Sequence, residues 1–316
     1  MTGAVVAAEG VIKDWGSTRA LDGATFTMGK GVTGLLGSNG AGKTTMLGLI
    51  LGMHNPDGGQ LAVLGSDPRF HGPAIRARIG YAPEHDAMPP DLRAHDLVRH
   101  IAELHGLPTR EAQARASDAL YEVGLGEERL RAVGTMSTGQ RQRVKLALAI
   151  AHDPDLVLLD EPTNGLDPMQ RDQMLGLIKQ VATRLGHDVI LSSHLLDEVE
   201  RVADAAVIID QGRVVRAGSL TELRGVDRSE LLVELDVDAT DTASMLQEAG
   251  LAAIADGRML TVALESPNVF DVVRDTIARA EVPLRRMRTR TATLEEVFLA
   301  GSASGTEPVA TDGAPQ

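Results

Sequence analysis

Residues 37–45 read Gly-Ser-Asn-Gly-Ala-Gly-Lys-Thr-Thr and match G-x-x-x-x-G-K-[ST] at every fixed position. These residue types make a phosphate cradle. With Ser38, Asn39 and Ala41 between them, Gly37, Gly40 and Gly42 let successive backbone N–H groups turn inward around anionic oxygens. A helix that starts there adds the positive end of its dipole. Lys43 suits the β- and γ-phosphates, the Thr44 hydroxyl suits Mg²⁺, and Thr45 closes the loop. The alternative is a glycine-rich turn that binds nothing. The flanks disfavour it: residues 31–36 read as a short buried strand and residues 46–51 as a helix.

A second constellation completes the chemistry. Residues 156–159 are Leu-Val-Leu-Leu, a continuous apolar run that predicts a central parallel strand. It ends in Asp160 and Glu161. An Asp in that place helps to hold Mg²⁺ in P-loop enzymes. The adjacent carboxylate can polarise water for attack on a γ-phosphate, a general-base role.

Composition bounds what else the chain can do. Its 316 residues allow more than one domain, and 43% of them are hydrophobic against 2% aromatic, so the core is aliphatic. The net charge of −13 argues against broad binding to a nucleic-acid backbone. The basic run Arg285, Arg286, Met287, Arg288 reads as a solvated strand face. With 0 cysteines there are no disulfides, iron–sulfur clusters or Cys-ligated zinc sites, which fits a reducing compartment. No basic-then-apolar leader opens the sequence, so no signal peptide is expected. No apolar run approaches the ~18–20 residues that span a bilayer, so no direct membrane insertion is expected. His95, His100 and His105 rotate by roughly 140° per step on a helix, which reads as solvated histidines rather than a metal site.

The elements that must position these residues follow from periodicity. Residues 5–28 read as edge strands and 61–65 as a further strand. A proline-rich loop spans 83–90, and residues 91–130 turn helical in two pieces separated by Gly106 and Pro108. Ser137 caps a helix running to Ile150. Strands follow at 189–191 and 206–209, with a Gln211-Gly212 turn into 213–215. A second unit then reads β-α-β-β-α-β, the ferredoxin-like order: strand 231–237, helix 243–249, strands 251–254 and 259–264, helix 266–280 and strand 282–287. Residues 294–299 read as a short last helix. Residues 301–316, rich in Ser, Gly, Pro, Ala and Thr, read as disordered.

Met136, Ser137, Thr138, Gly139 and Gln140 resemble the LSGGQ signature of the ATP-binding cassette (ABC) family, placed shortly before the Asp160 strand. Other family segments occur in order. Trp15 sits in an early polar turn where the family stacks an aromatic on adenine. Glu84 occupies the Q-loop position. Residues 165–167, Gly-Leu-Asp, resemble the D-loop, and Ser193-His194 resembles the switch histidine. The resemblance covers roughly residues 5–223. It implies two copies of the cassette, each binding Mg-ATP, with Ser137, Gly139 and Gln140 of one copy closing over the γ-phosphate in the other. It also implies Lys43, Glu161, His194 and Glu84 as catalytic residues, Thr44, Asp160 and Glu84 at the metal, and Asp167 communicating across the interface. Two departures stand out. Glu84 replaces the usual glutamine; it can approach Mg²⁺ but cannot donate a hydrogen bond. Thr138 replaces the first signature glycine, where strain is expected.

The predicted architecture is α/β: a P-loop NTPase ABC cassette over 1–223 with a helical insertion at about 84–150, an accessory α+β domain of ferredoxin-like order over 224–300, and a tail over 301–316. Within the family the chain looks like a drug- or antibiotic-type exporter ATPase paired with a separate ABC-2 permease, held on the cytoplasmic face of the membrane by that partner. The single cassette, the short C-terminal unit and residues 291–299, similar to T-x-x-L-E-[DE]-V-F-L, point that way. An importer ATPase, a soluble ABC ATPase acting on ribosomes or DNA, and a nucleotide-binding regulator are the alternatives. One cassette, net negative charge and an intact Glu161 and His194 count against the last two. The transported substrate is not written in the chain.

Overall fold

The computed structural model describes residues 3–85, 88–224, 229–264, 266 and 268–291. The last helix and the tail read from the sequence lie outside the described residues. Contacts divide the chain into two units, Met1–Leu220 and Thr221–Gln316.

The first unit opens with β1 (Val6–Trp15), β2 (Thr18–Met28) and β3 (Val32–Leu36), then α1 (Lys43–Ile50), β4 (Gly58–Val63), α2 (Pro68–Arg76) and β5 (Ile79–Ala82). Helices α3 (Ala94–Leu104), α4 (Thr109–Glu122) and α5 (Thr138–Ile150) follow. The unit continues with β6 (Leu156–Asp160), α6 (Pro168–Thr183), β7 (Asp188–Ser193), α7 (Leu196–Val202), β8 (Ala205–Asp210) and β9 (Arg213–Ser219). A short α8 (Leu220–Arg224) comes next.

Two sheets form. β2-β1-β4 is antiparallel, and β5-β6-β7-β3-β8-β9 is parallel except for its last pair. Both β3 and β6 are buried at every position, as strands covered on both faces must be. Helix α1 fills the space between the sheets: Met46, Leu47, Leu49 and Ile50 are fully buried and join residues of both sheets in one aliphatic core. The parallel register decides where chemistry can happen. Leu36 pairs with Ser193, and Asp160 with Ser192, so the carboxyl ends of β3, β6 and β7 lie side by side. Crevices beyond the carboxyl ends of parallel strands are where such sheets bind ligands.

Three helices of this unit were not read from the sequence. Gly72 and Pro73 break the helical pattern of α2, which is kinked at His71, with Asp67 capping its start. Helix α7 is short. The third, α6, has plain start signals, Asp167 as cap and Pro168 at its first position. Thr138 sits in ordinary helical conformation as the first residue of α5, so the strain expected there is not found. The histidine reading needs correction too. His100 is exposed, but His95 bonds Ser117 Oγ at 3.2 Å and His105 stacks on His152, ring centroids 3.6 Å apart. The stack forms because α3 and the end of α5 converge on β5, whose Ile79 carbonyl lies 3.2 Å from His152 Nε2.

The second unit contains β10 (Ser229–Leu235), α9 (Thr240–Glu248), β11 (Ala253–Asp256), β12 (Met259–Ala263), α10 (Val269–Arg279) and β13 (Leu284–Thr291). Its sheet order is β11-β12-β10-β13, antiparallel throughout, the ferredoxin-like arrangement. Leu231, Val233, Leu260, Val262, Leu246, Val273 and Ile277 form its core. The basic run lies on β13, where Arg285 pairs with Glu234 at 3.2 Å.

Burial, then the neighbouring His105, lowers the pKa of His152 from 6.5 to about 4. The folded state therefore favours neutral His152, so this contribution to stability is full above pH 6.5 and is lost as pH falls towards 4. A melting-temperature series across that window should show wild-type protein losing several degrees more than the His152→Phe variant. Superimposable profiles would remove His152 as an acid-sensitive element.

Candidate nucleotide site

The loop after β3 adopts the cradle its glycines permit. Gly40 and Gly42 have φ of 83° and 112°, in the left-handed region. A side chain on Gly42 would meet the Ala20 carbonyl at 2.6 Å, so the loop also needs glycine for close approach. Helix α1 begins at Lys43 with no side-chain cap at Gly42, leaving its first N–H groups for a ligand. The adjoining cleft of about 310 Å³ is lined by Ser38, Asn39, Gly40, Gly42, Lys43, Thr44, Thr45, Glu84 and Glu161, together with Thr18, Arg19 and Ala20. Gly37 and Ala41 are not among the residues lining the cleft: Gly37 backs onto the Ile209 carbonyl, and Ala41 O accepts from Gly212 N at 3.0 Å.

Lys43 is 6% exposed. Its Nζ donates to Gly37 O at 2.7 Å and lies 3.2 Å from Glu161 Oε1. That second contact is an ion pair without hydrogen-bond alignment, so Glu161 Oε1 remains a buried oxygen with an unfilled lone pair. Its sister Oε2 lies 2.8 Å from His194 Nδ1. Glu161 takes a left-handed φ of 48°, costly for a side chain of its size, and its N–H donates to Ser192 Oγ at 2.9 Å. Ser192 Oγ in turn donates to Asp160 Oδ1 at 2.6 Å, and Thr44 Oγ1 donates to Asp160 Oδ2 at 3.3 Å. Burial raises the Asp160 pKa above its ordinary value; the Ser192 hydrogen bond opposes this, and Glu84 and Glu161 add to it.

Other anticipated residues fall in two places. Trp15 is 45% exposed, its Nε1 3.5 Å from Thr45 Oγ1, its ring edge-on to His54 at 4.8 Å and covered by Lys13 Nζ at 4.9 Å. It stands beside the phosphate loop, with part of its ring exposed. Ser137, Gly139 and Gln140 are elsewhere. Ser137 and Gln140 form a capping box at the start of α5, and with Gly139 they line a separate polar cleft of about 220 Å³. Asp167 caps α6, accepting from Gln170 N at 2.8 Å. Within one chain, then, the signature residues do not meet the phosphate loop. Sequence reading missed Ser192, which orders both carboxylates; the Ser192-Ser193 pair ending an apolar strand was its signal.

The ABC transporter family profile matches residues 21–164. The linearmycin resistance ATP-binding protein LnrL of Bacillus subtilis is 32% identical over 92% of this chain and 96% of its own length. The daunorubicin resistance ATP-binding protein DrrA3 of Streptomyces coeruleorubidus is 31% identical over 95% of this chain and 96% of its own. The chain belongs to the ABC transporter family and is an ATP-binding cassette ATPase. A solved ATP-binding subunit of an ABC transporter superimposes with a TM-score of 0.62, at 28% identity, over 70% of this chain and 92% of the other.

In the cassette, ionised Asp160 works against folding. Its folded pKa is raised, so its contribution to stability is present below the ordinary 3.8 and lost as pH rises through the folded value. The Asp160→Asn variant, measured without nucleotide at pH 7.5, should melt a few degrees higher than wild type, on a scale of ~2–4 °C per kcal/mol. The gap should shrink on approaching pH 4. A lower melting point for the variant at pH 7.5 would contradict the assignment.

Proposed function

We propose that this cassette hydrolyses Mg-ATP to power a separate integral-membrane permease of the ABC-2 exporter type, with drugs, antibiotics or other lipophilic compounds as cargo. The near full-length match to two antibiotic-resistance ATP-binding proteins carries the reading. Among the described residues no helix is long and apolar enough to cross a membrane, which leaves the transport path to a partner chain. The proposed location is the cytoplasmic face of the membrane, through that partner.

Lys43, Thr44 and the N–H groups of residues 38–45 suit the triphosphate, and Trp15 suits adenine. Mg²⁺ would be held by Thr44, Asp160 and Glu84. Two carboxylates and a hydroxyl are too few for a closed cage, and among the described residues no group of three or more acidic or histidine side chains forms one. That fits Mg²⁺, which keeps most of its shell for phosphate and water. An ion held there would supply positive charge against the phosphate oxygens. A triphosphate offers Lys43 better acceptors than the carbonyls of Gly37 and Ser38, so its arrival loosens the Lys43–Glu161 pair. Glu161 is then free to orient or deprotonate water, with its carboxylate aimed by His194. Because Ser137, Gly139 and Asp167 lie away from the phosphate loop of their own chain, a second copy must supply them, and the active form is a homodimer.

An apolar groove of about 360 Å³, lined by Met53, Tyr81, Leu97, Ile101, His105 and Leu148, is the proposed docking site for the permease. Lys145 ties it to the nucleotide cleft by donating to the main-chain oxygens of Pro83 and Glu84 at 3.1 and 2.7 Å. The ferredoxin-like unit is proposed as regulatory or assembly-related.

The Glu161→Gln variant should bind ATP as wild type does and lose roughly 10²-fold or more in turnover, the scale of a lost general base. Binding is followed by the fluorescence of Trp15, the 1 Trp of the chain. Wild-type turnover in that variant would refute the reading of Glu161, and a silent Trp15 at saturating ATP would refute its place against adenine.

A further inference from the structure

One contact of the cleft has no role in this scheme. Asn164 Nδ2 donates to Glu84 Oε1 at 3.1 Å. The two residues come from distant parts of the chain, and each has its main chain pinned by other groups. Asn164 N donates to Glu161 O at 3.1 Å, and Asn164 O accepts from Gln142 Nε2 at 3.3 Å. The preceding Thr163 hydroxyl donates to Glu198 Oε2 at 2.8 Å, a carboxylate with no exposed surface that also accepts from Ser193 Oγ at 2.7 Å and pairs with Arg171 at 3.1 Å. On the other side, Lys145 holds the main-chain oxygen of Glu84 at 2.7 Å. Two anchored backbones are therefore bridged by one amide-to-carboxylate hydrogen bond.

We propose that Asn164 is a positioning residue: its amide holds the Glu84 carboxylate over the metal end of the nucleotide cleft. The physical need is repulsion. Glu84 lines the same cleft as Glu161, and Asp160 stands beside Glu161. Like charges at close range would drive the most exposed of them outward into water. A neutral donor on Oε1 opposes that without consuming the negative charge, and it leaves Oε2 for a cation. Asn164 sits between Glu161 and Asp167, so the segment proposed to face the second copy also sets the geometry of Glu84. Closure by the partner would thereby be felt at the metal.

This inference rests on the proposed role of Glu84 at the metal, and a double-mutant cycle separates the two. Full-length wild type, Asn164→Ala, Glu84→Ala and the double variant are titrated with Mn²⁺ in the presence of saturating ADP, and free Mn²⁺ is followed by electron paramagnetic resonance. Asn164→Ala should weaken Mn²⁺ binding about tenfold, the loss of one charge-assisted hydrogen bond. In the Glu84→Ala background the same change should cost less than about twofold. Asn164→Leu, similar in size and without a donor, should repeat the Ala result, and steady-state assays should show the loss in the apparent KM for Mg²⁺ more than in kcat. An equal effect of Asn164→Ala in both backgrounds, or none in either, overturns the inference about Asn164. Unchanged Mn²⁺ affinity in Glu84→Ala overturns the reading of Glu84 beneath it.

Discussion

Two neighbouring carboxylates, Asp160 and Glu161, stand at the end of a strand with no exposed face, and much of the nucleotide unit is arranged around tolerating them. Isolated charges in such a place would simply take up protons. Here each is answered locally. Ser192 and Thr44 donate to Asp160, while Lys43 and His194 flank Glu161. The donors arrive from β7, α1 and the loop after β7. They meet only because the parallel register sets the carboxyl ends of β3, β6 and β7 level. Even so, Asp160 remains under-compensated, its pKa pushed upward by burial.

The same incompleteness appears on a larger scale. The phosphate loop with its carboxylates is one half-site, and the capped start of α5 with Asp167 is another. They open into different clefts. Neither cleft holds the full set, since Lys43, Thr44 and Glu161 line only the first and Ser137, Gly139 and Gln140 only the second. In the proposed homodimer, two copies arranged head to tail would make both halves useful twice. The proposed dependence of hydrolysis on a partner would thus follow from where the fold puts its helix termini.

Much of this was legible in the chain because it rests on local chemistry. The glycine spacing of residues 37–42, the apolar run before Asp160 and the cap at Ser137 each specify their own backbone, and the structure has those forms. The βαββαβ order was readable too, from alternation in short strands with turns between them. What escaped was non-local. Nothing in the spacing of His105 and His152 announces that the two stack, so His105 reads as a solvated side chain from sequence alone. Nothing local links Asn164 to Glu84 or Ser192 to Asp160. Helix α2 was hidden for a different reason: Gly72 and Pro73 argue against a helix that Asp67 and packing nevertheless secure.

Glu161 shows how the local and non-local levels meet. Its left-handed backbone is unfavourable for a residue with a long side chain, and a relaxed alternative would swing the carboxylate off the axis of β6. The strain persists because Ser192 holds the Glu161 N–H while His194 and Lys43 hold the side chain. Those contacts are the source of the residue's placement. On the proposed reading, Lys43 turning to phosphate oxygens would release one restraint on Glu161 and leave the His194 contact as the remaining guide for its carboxylate. In the proposed mechanism a single strained residue thus connects the arrival of nucleotide to the aim of the base.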